Sequence, residues 1–306
     1  MHEASGVYEP MLPHGWIGPR PDDHRLIRTA GTLVPNAWCA EVVDAALPCG
    51  IRIIAQRRGF VVYDFAGWSR GVANPGRRGR TLGEASAAAT PALVQRLRVM
   101  NAHQILLHSA LMVTSDESPP VTRIGNRDLY RWDRNEDGSE YWESWTGILR
   151  DTVTPVDRVR TDTVPVNAFE LSLAWLNDVV NAEGLIEFDL LSQAHAAVAT
   201  HDRASAVVAG WTVCELGLNH LYRQQPLPGG TPTAEVMMDR LEQIGALGPE
   251  TTKRLAVVRN RRNKWLHAGR EPLAEVALEA LDLATLMLSR IVPDLKTRAV
   301  GQLVTL

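Results

Sequence analysis

Cysteine is scarce in this chain. Cys39, Cys49 and Cys214 are the only three in 306 residues, and they show neither metal-ligand spacing nor the density of a disulfide framework. That excludes a small stapled scaffold and a thiolate zinc site, and it fits a reducing cytoplasm. Long apolar runs are missing too. None reaches the ~18 residues of a spanning helix, so no membrane partner is expected. The start, Met1-His2-Glu3-Ala4, lacks a basic segment followed by an apolar one, so no secretory leader is expected. No glycine-rich phosphate loop, zinc-ligand set or nucleophile elbow is present, and no cofactor is expected. What remains is an ordinary globular composition, 45% hydrophobic and 22% charged, with a length that favours two domains.

Net charge is only −3, but it is unevenly spread. From residue 161 onward there are 13 Lys and Arg against 17 Asp and Glu, compared with 19 and 18 before it. Within that acidic half, Lys253, Arg254, Arg259, Arg261, Arg262, Lys264 and Arg270 lie between Glu250 and Glu271 with no acid among them. Such a strip reads as a local anion site or as a solvated helix face.

The pattern along the chain predicts an α+β protein. Residues 1–27 read as an irregular lead-in. Residues 28–150 read as a β-rich mixed domain. Its Ile51–Ala55 and Phe60–Phe65 runs flank Gln56-Arg57-Arg58-Gly59 as a hairpin, and 128–132 with 141–145 form a second one. Between the hairpins, Thr90 and Pro91 predict the start of a helix running to Met112. Residues 151–167, with Pro155 and Pro165, read as a linker, and 168–306 as an all-α helical bundle. There, Asp202 caps a helix whose Val207, Trp211, Cys214, Leu218 and Leu221 make an apolar seam. A second helix carries Met237, Leu241, Ile244 and Leu247 as far as Gly248-Pro249. A third spans 250–266. The last starts at Pro272 with Leu273, Val276, Ala280, Leu283, Leu286, Met287 and Ile291 on its apolar face.

The chemistry concentrates in Arg262-Asn263-Lys264-Trp265-Leu266-His267. An arginine offers a permanent charge and a planar fork for phosphate oxygens. A histidine exchanges protons near neutral pH. Leu255, Val258, Arg262 and Trp265 recur at 3-4-3 spacing, so Arg262 interrupts a buried seam. There it needs a partner, and Glu215 on the earlier helix is the candidate. The plain structural reading is an Arg262–Glu215 ion pair without catalytic meaning. At 100° per residue, Arg262 and His267 point about 140° apart. One straight helix does not easily aim both at one phosphate; long side chains, a break at the helix end before Gly269, or a second copy of the chain would bring them together.

These residues resemble the signature of the HEPN superfamily (higher eukaryotes and prokaryotes nucleotide-binding domains), an arginine and a polar residue followed at short spacing by histidine. The similarity runs through the helical layout of about residues 185–293. The resemblance implies a metal-independent endoribonuclease, dimeric, with Arg262, Asn263 and His267 in the cleft and Glu215 matching an acidic residue of an earlier helix. It implies RNA as partner, with Arg259, Arg261 and Lys264 drawing its backbone, and a toxin or anti-phage setting. Other members of the superfamily only bind nucleotides or partners. In some, a tyrosine two positions after the histidine is modified as a control; Gly269 stands there in this chain.

Weaker signals are set beside these. Asp133–Gly138 begins like a calcium loop, but Ser144 occupies the position that needs Glu, and a hairpin turn at Asp137-Gly138 is the simpler reading. Trp132, Trp142 and Trp145 with Tyr130 and Tyr141 suit cross-strand packing or, less simply, a stacking platform for bases. Arg77-Arg78-Gly79-Arg80 reads as an exposed basic loop. The N-terminal domain is assigned a sensing or recruiting role, with a regulatory partner.

Overall fold

The computed structural model describes residues 4–8, 16–20, 26–29, 32–35, 38–68, 82–115, 121, 123–125, 130–134, 140–144, 163–227, 230 and 232–297. In chain order the strands are β1 (Ala4–Tyr8), β2 (Trp16–Ile17), β3 (Leu26–Thr29), β4 (Thr32–Pro35), β5 (Glu41–Ala46), β6 (Arg52–Gln56) and β7 (Val61–Asp64), then, after helix α1 (Leu82–Thr114), β8 (Tyr130–Arg134), β9 (Glu140–Ser144) and β10 (Thr163–Val164). Six helices follow: α2 (Val166–Asn181), α3 (Leu185–Ala199), α4 (Arg203–Arg223), α5 (Ala234–Gln243), α6 (Pro249–Ala268) and α7 (Ala274–Leu288). The chain forms two compact units, Met1–Leu107 with Ile124–Asn181, and His108–Arg123 with Ala182–Leu306. The order is thus a β-rich mixed part followed by an all-α part.

In the first unit an antiparallel sheet runs β5-β6-β7-β1-β8-β9. Both expected hairpins are there, with Ile53 opposite Tyr63 and Trp132 opposite Trp142 in register. The turn between β8 and β9, the loop at 77–80, Trp145 and residues 151–162 lie outside the described residues. The lead-in is not wholly irregular. β1 pairs with β7 on one side and β8 on the other. Its Ala-Ser-Gly-Val-Tyr run has little strand character of its own, and the long-range pairing overrides that.

α1 also departs from expectation. It begins at Leu82, and Pro91 stands inside it rather than at its first position. The preceding Ala-rich stretch is a strong helix former, which offsets the one ladder hydrogen bond a proline removes. From Val99 to Leu111 the helix is buried all round, so its polar residues must find partners in the core. His103 does so in a relay: Tyr63 donates its hydroxyl to Nδ1 at 2.5 Å. Nε2 lies 3.0 Å from Ser172 Oγ, and that hydroxyl in turn donates to the Phe169 carbonyl at 2.6 Å. The chain of donors requires a neutral ring with its proton on Nε2. It also explains why α2, grouped by sequence with the C-terminal helices, belongs to the first unit: Phe169 and Ser172 close over His103.

In the second unit Asp202 caps α4 as expected, accepting the Ser205 N–H at 3.0 Å. Val207, Trp211, Cys214 and Leu218 of its seam are buried. Two glycines seven residues apart let α7 approach. A Cβ on Gly210 would come within 3.0 Å of the Ala280 carbonyl oxygen, and one on Gly217 within 2.8 Å of the Met287 Cβ. Ile244, Leu273 and Leu286, expected on apolar faces, are instead nearly half exposed. No helix among the described residues is long and apolar enough to cross a membrane.

Candidate functional site

α6 carries every cation of the basic strip except Arg270, and its ends are well defined. Gly248 precedes it, Pro249 takes the first helical position, and Gly269 closes it in the left-handed conformation at φ +62°. The Gly269 and Arg270 N–H groups turn back to the Trp265 and Lys264 carbonyls at 2.9 and 3.4 Å. This terminus places His267 in the last turn, exposed to solvent.

Leu255 and Val258 are fully buried, and Arg262, one turn on, is half-buried. The expected Arg262–Glu215 pair does not form. Arg262 Nη1 donates to Asn263 Oδ1 at 3.1 Å. Its Nε is sealed from solvent with no acceptor. Glu215 is half-buried on α4, and its backbone carbonyl accepts the Asn219 side-chain amide at 2.9 Å. Burial of the seam leaves the guanidinium short of acceptors, and no carboxylate among the described residues supplies one. Arg262 and Asn263 are therefore brought together, Glu215 is not joined to them, and His267 leaves α6 on another flank.

The rest of the strip divides in two. Arg254 donates to Glu279 and, at 2.7 Å, to Asp282 on α7. These bonds push its pKa further up, the Glu279 hydrogen bond being the largest cause. Arg259 reaches Glu235 at 3.1 Å. Lys253, Arg261, Lys264 and Arg270 are exposed and form no ion pair among the described residues. Of the three residues expected to draw a nucleic-acid backbone, Arg261 and Lys264 are open, and Arg259 is partly matched by an acid.

Among the described residues the ion pair that is mostly dry lies elsewhere, between Glu187 of α3 and Arg290 just beyond α7. Their side chains are 15% and 14% exposed and 2.9 Å apart. Burial lowers the Arg290 pKa, and Glu187 opposes that shift. Arg290 Nη1 also donates to the Met287 carbonyl at 2.6 Å. Glu187→Ala is expected to strand that charge and cost about 3 kcal/mol, measured as a shift of the urea midpoint. A midpoint equal to that of the unaltered protein would show that the pair carries no stability.

Sequence reasoning missed one further feature. On the Trp265 flank of α6 a cavity of ≈ 380 Å³ opens between α3, the first half of α4 and the indole. The signal available was a tryptophan at the margin of a seam otherwise closed by Leu255 and Val258. Among the described residues, no group of three or more His, Cys, Asp or Glu is placed to hold a metal ion. No family model, curated protein or solved structure matches the chain, so the reading of the site rests on its own residues.

Proposed function

We propose that the second unit is a HEPN-type endoribonuclease that works without a metal. A single observation carries this reading: Arg262 holds a half-buried guanidinium with no carboxylate beside it among the described residues, oriented by Asn263, on a helix end that exposes His267. A charge kept where it has no internal counter-ion is matched by an anion from outside. A phosphodiester is the anion that the neighbouring open Arg261 and Lys264 would attract. In the reaction, a ribose 2′-OH gives its proton to His267 acting as base, and its oxygen attacks phosphorus. The P–O5′ bond breaks, and the protonated His267 returns the proton to the leaving oxygen. Arg262 stabilises the charge that builds on the phosphoryl oxygens, and Asn263 holds the fork in line. Glu215 keeps only a supporting place on α4. The active form is a two-fold homodimer through the helical unit, which brings the diverging Arg262 and His267 flanks to one phosphate. The β-rich unit takes the sensing or recruiting role, and the setting is toxin activity or anti-phage defence.

The divergence of Arg262 and His267 within one chain also favours a second reading, a non-catalytic module that holds a nucleotide, RNA or a protein partner on the basic strip. Incubating the purified protein with total RNA in EDTA separates the two. The nuclease leaves 2′,3′-cyclic phosphate and 5′-OH ends and spares DNA. The module shifts RNA on a gel and leaves it whole.

A further inference from the structure

The cavity of ≈ 380 Å³ between α3, the first half of α4 and Trp265 falls within the roughly 300–1,000 Å³ of small-molecule sites. Among the described residues its wall carries one charged side chain, Asp202, and that charge is negative. Asp202 Oδ1 accepts the Ser205 N–H at 3.0 Å as the α4 cap. No cation among the described residues pairs with this carboxylate, which stands exposed at the rim. The other polar groups of the wall lean the same way. Thr212 donates its hydroxyl proton to the Val208 carbonyl at 2.8 Å, so its oxygen is left only to accept. The exposed Gln193 carboxamide is unengaged, and its oxygen is a further acceptor. Below the rim the surface is the half-buried Trp265 indole with the half-buried, apolar Leu190 and Val208. Arg203 and Arg261 are close in sequence to Asp202 and Trp265, but both are exposed and neither lines the cavity. Salt and water screen charges so placed.

From this juxtaposition we infer that the cavity binds a short aliphatic amine, with its ammonium between the Asp202 carboxylate and the Trp265 indole and its hydrocarbon stem against Leu190 and Val208. An ammonium carries donors and no acceptor, which is what a rim of acceptors answers. The face of an indole attracts a cation, tryptophan being the best of the aromatic side chains at this. The stem gains by leaving water for an apolar wall, as a lysine side chain does when its charged end stays at the surface. Other ligand classes fit less well. An anion would meet the Asp202 charge, and a plain hydrocarbon would leave the acceptors unanswered. An α-amino acid would bring a carboxylate that no cation of the wall matches. The ligand is therefore an amine without an acid group. The site is separate from the Arg262 and His267 flanks of α6 and stands whether or not the chain cleaves RNA.

The test is titration of the full chain with pentylamine, pentanol, cadaverine and lysine, followed by the NMR signal of the Trp265 indole N–H. That signal is identified among the nine tryptophans by its loss in Trp265→Leu. In the unaltered protein pentylamine is expected to bind at least about 3-fold more tightly than pentanol, the combined scale of one exposed ion pair and one exposed cation–π contact. Cadaverine should bind like pentylamine, and lysine more weakly than either. Asp202→Asn removes the charge and keeps a residue that caps a helix as well as aspartate does, so α4 is retained. In that variant the two pentyl ligands should bind equally, with pentanol unchanged from the unaltered protein. Equal binding of pentylamine and pentanol by the unaltered protein would show an apolar pocket and overturn the amine site. A preference for the amine that survives Asp202→Asn overturns it as well, as does lysine binding as tightly as cadaverine. No movement of the Trp265 signal at tens of millimolar amine would show that the cavity takes no amine at all.

Discussion

His267→Ala is expected to lose at least about 100-fold in the rate of RNA cleavage, the usual contribution of a positioned acid or base. Arg262→Lys is expected to lose a comparable factor, since a point charge does not reproduce a planar fork against phosphoryl oxygens. The two differ from ordinary damaging substitutions in what they do to the fold. His267 is exposed at the end of α6, so its removal leaves the thermal midpoint in place. Arg262 is a charge on an apolar seam with no acid beside it among the described residues. Arg262→Met should therefore keep or raise stability, by about 1 kcal/mol at the low end of such replacements, while abolishing cleavage. A structural arginine would show the opposite sign. Mixing the Arg262→Lys and His267→Ala proteins adds a test of geometry. If Arg262 of one copy works with His267 of the other, mixed dimers contain one intact site and recover a substantial fraction of the rate. No recovery on mixing, with dimers formed, would place both groups within one chain. Cleavage that His267→Ala leaves intact would remove this site from the chemistry altogether.

The parts of this molecule legible in its sequence are those decided by neighbours in the chain. The first hairpin follows from Gln56-Arg57-Arg58-Gly59 between two β-branched runs, and the bounds of α4 and α6 from Asp202, Gly248-Pro249 and Gly269. Features decided by distant residues were not legible. β1 takes its place between β7 and β8 because backbone groups far along the chain meet its own on both sides. α2 joins the first unit because His103 needs Ser172. The same division runs through the candidate site. Arg262 on a seam and His267 at a helix end could be read from spacing. That Glu215 would not answer Arg262, while Glu187 answers Arg290, could not, because helix periodicity fixes the face of a side chain but not which acid stands across from it. The Trp265 cavity needs three helices to exist, so no local signal names it.

Acid is expected to destabilise both units well before the carboxylates titrate. His103 in the first unit and His195 in the second are buried, 0% and 5% exposed. Burial lowers both pKa values to about 3, with His108 adding a smaller repulsion at His195. The unfolded chain binds these protons near the ordinary value of 6.5, so between pH 6.5 and 3 the unfolded state holds more protons than the folded one. The stability due to each neutral ring is thus complete above pH 6.5 and is lost as pH falls toward 3. The slope is about 1.4 kcal/mol per pH unit per histidine, or about 2 kcal/mol each by pH 5. Asp202, whose pKa is held below its ordinary 3.8 by its hydrogen bonds to Ser205, does not contribute between pH 6.5 and 5. Urea midpoints followed from pH 7.5 to 5 should fall, and hydrogen exchange in α2 and α3 peptides should report the two units separately. The pair Tyr63→Phe with His103→Leu removes the relay on both sides of the ring and leaves Ser172 bonded to the Phe169 carbonyl. In that double variant the α2 peptides should lose their acid sensitivity and the α3 peptides should keep theirs. Equal stability at pH 7.5 and pH 5 in the unaltered protein would mean that neither ring is held neutral by the fold.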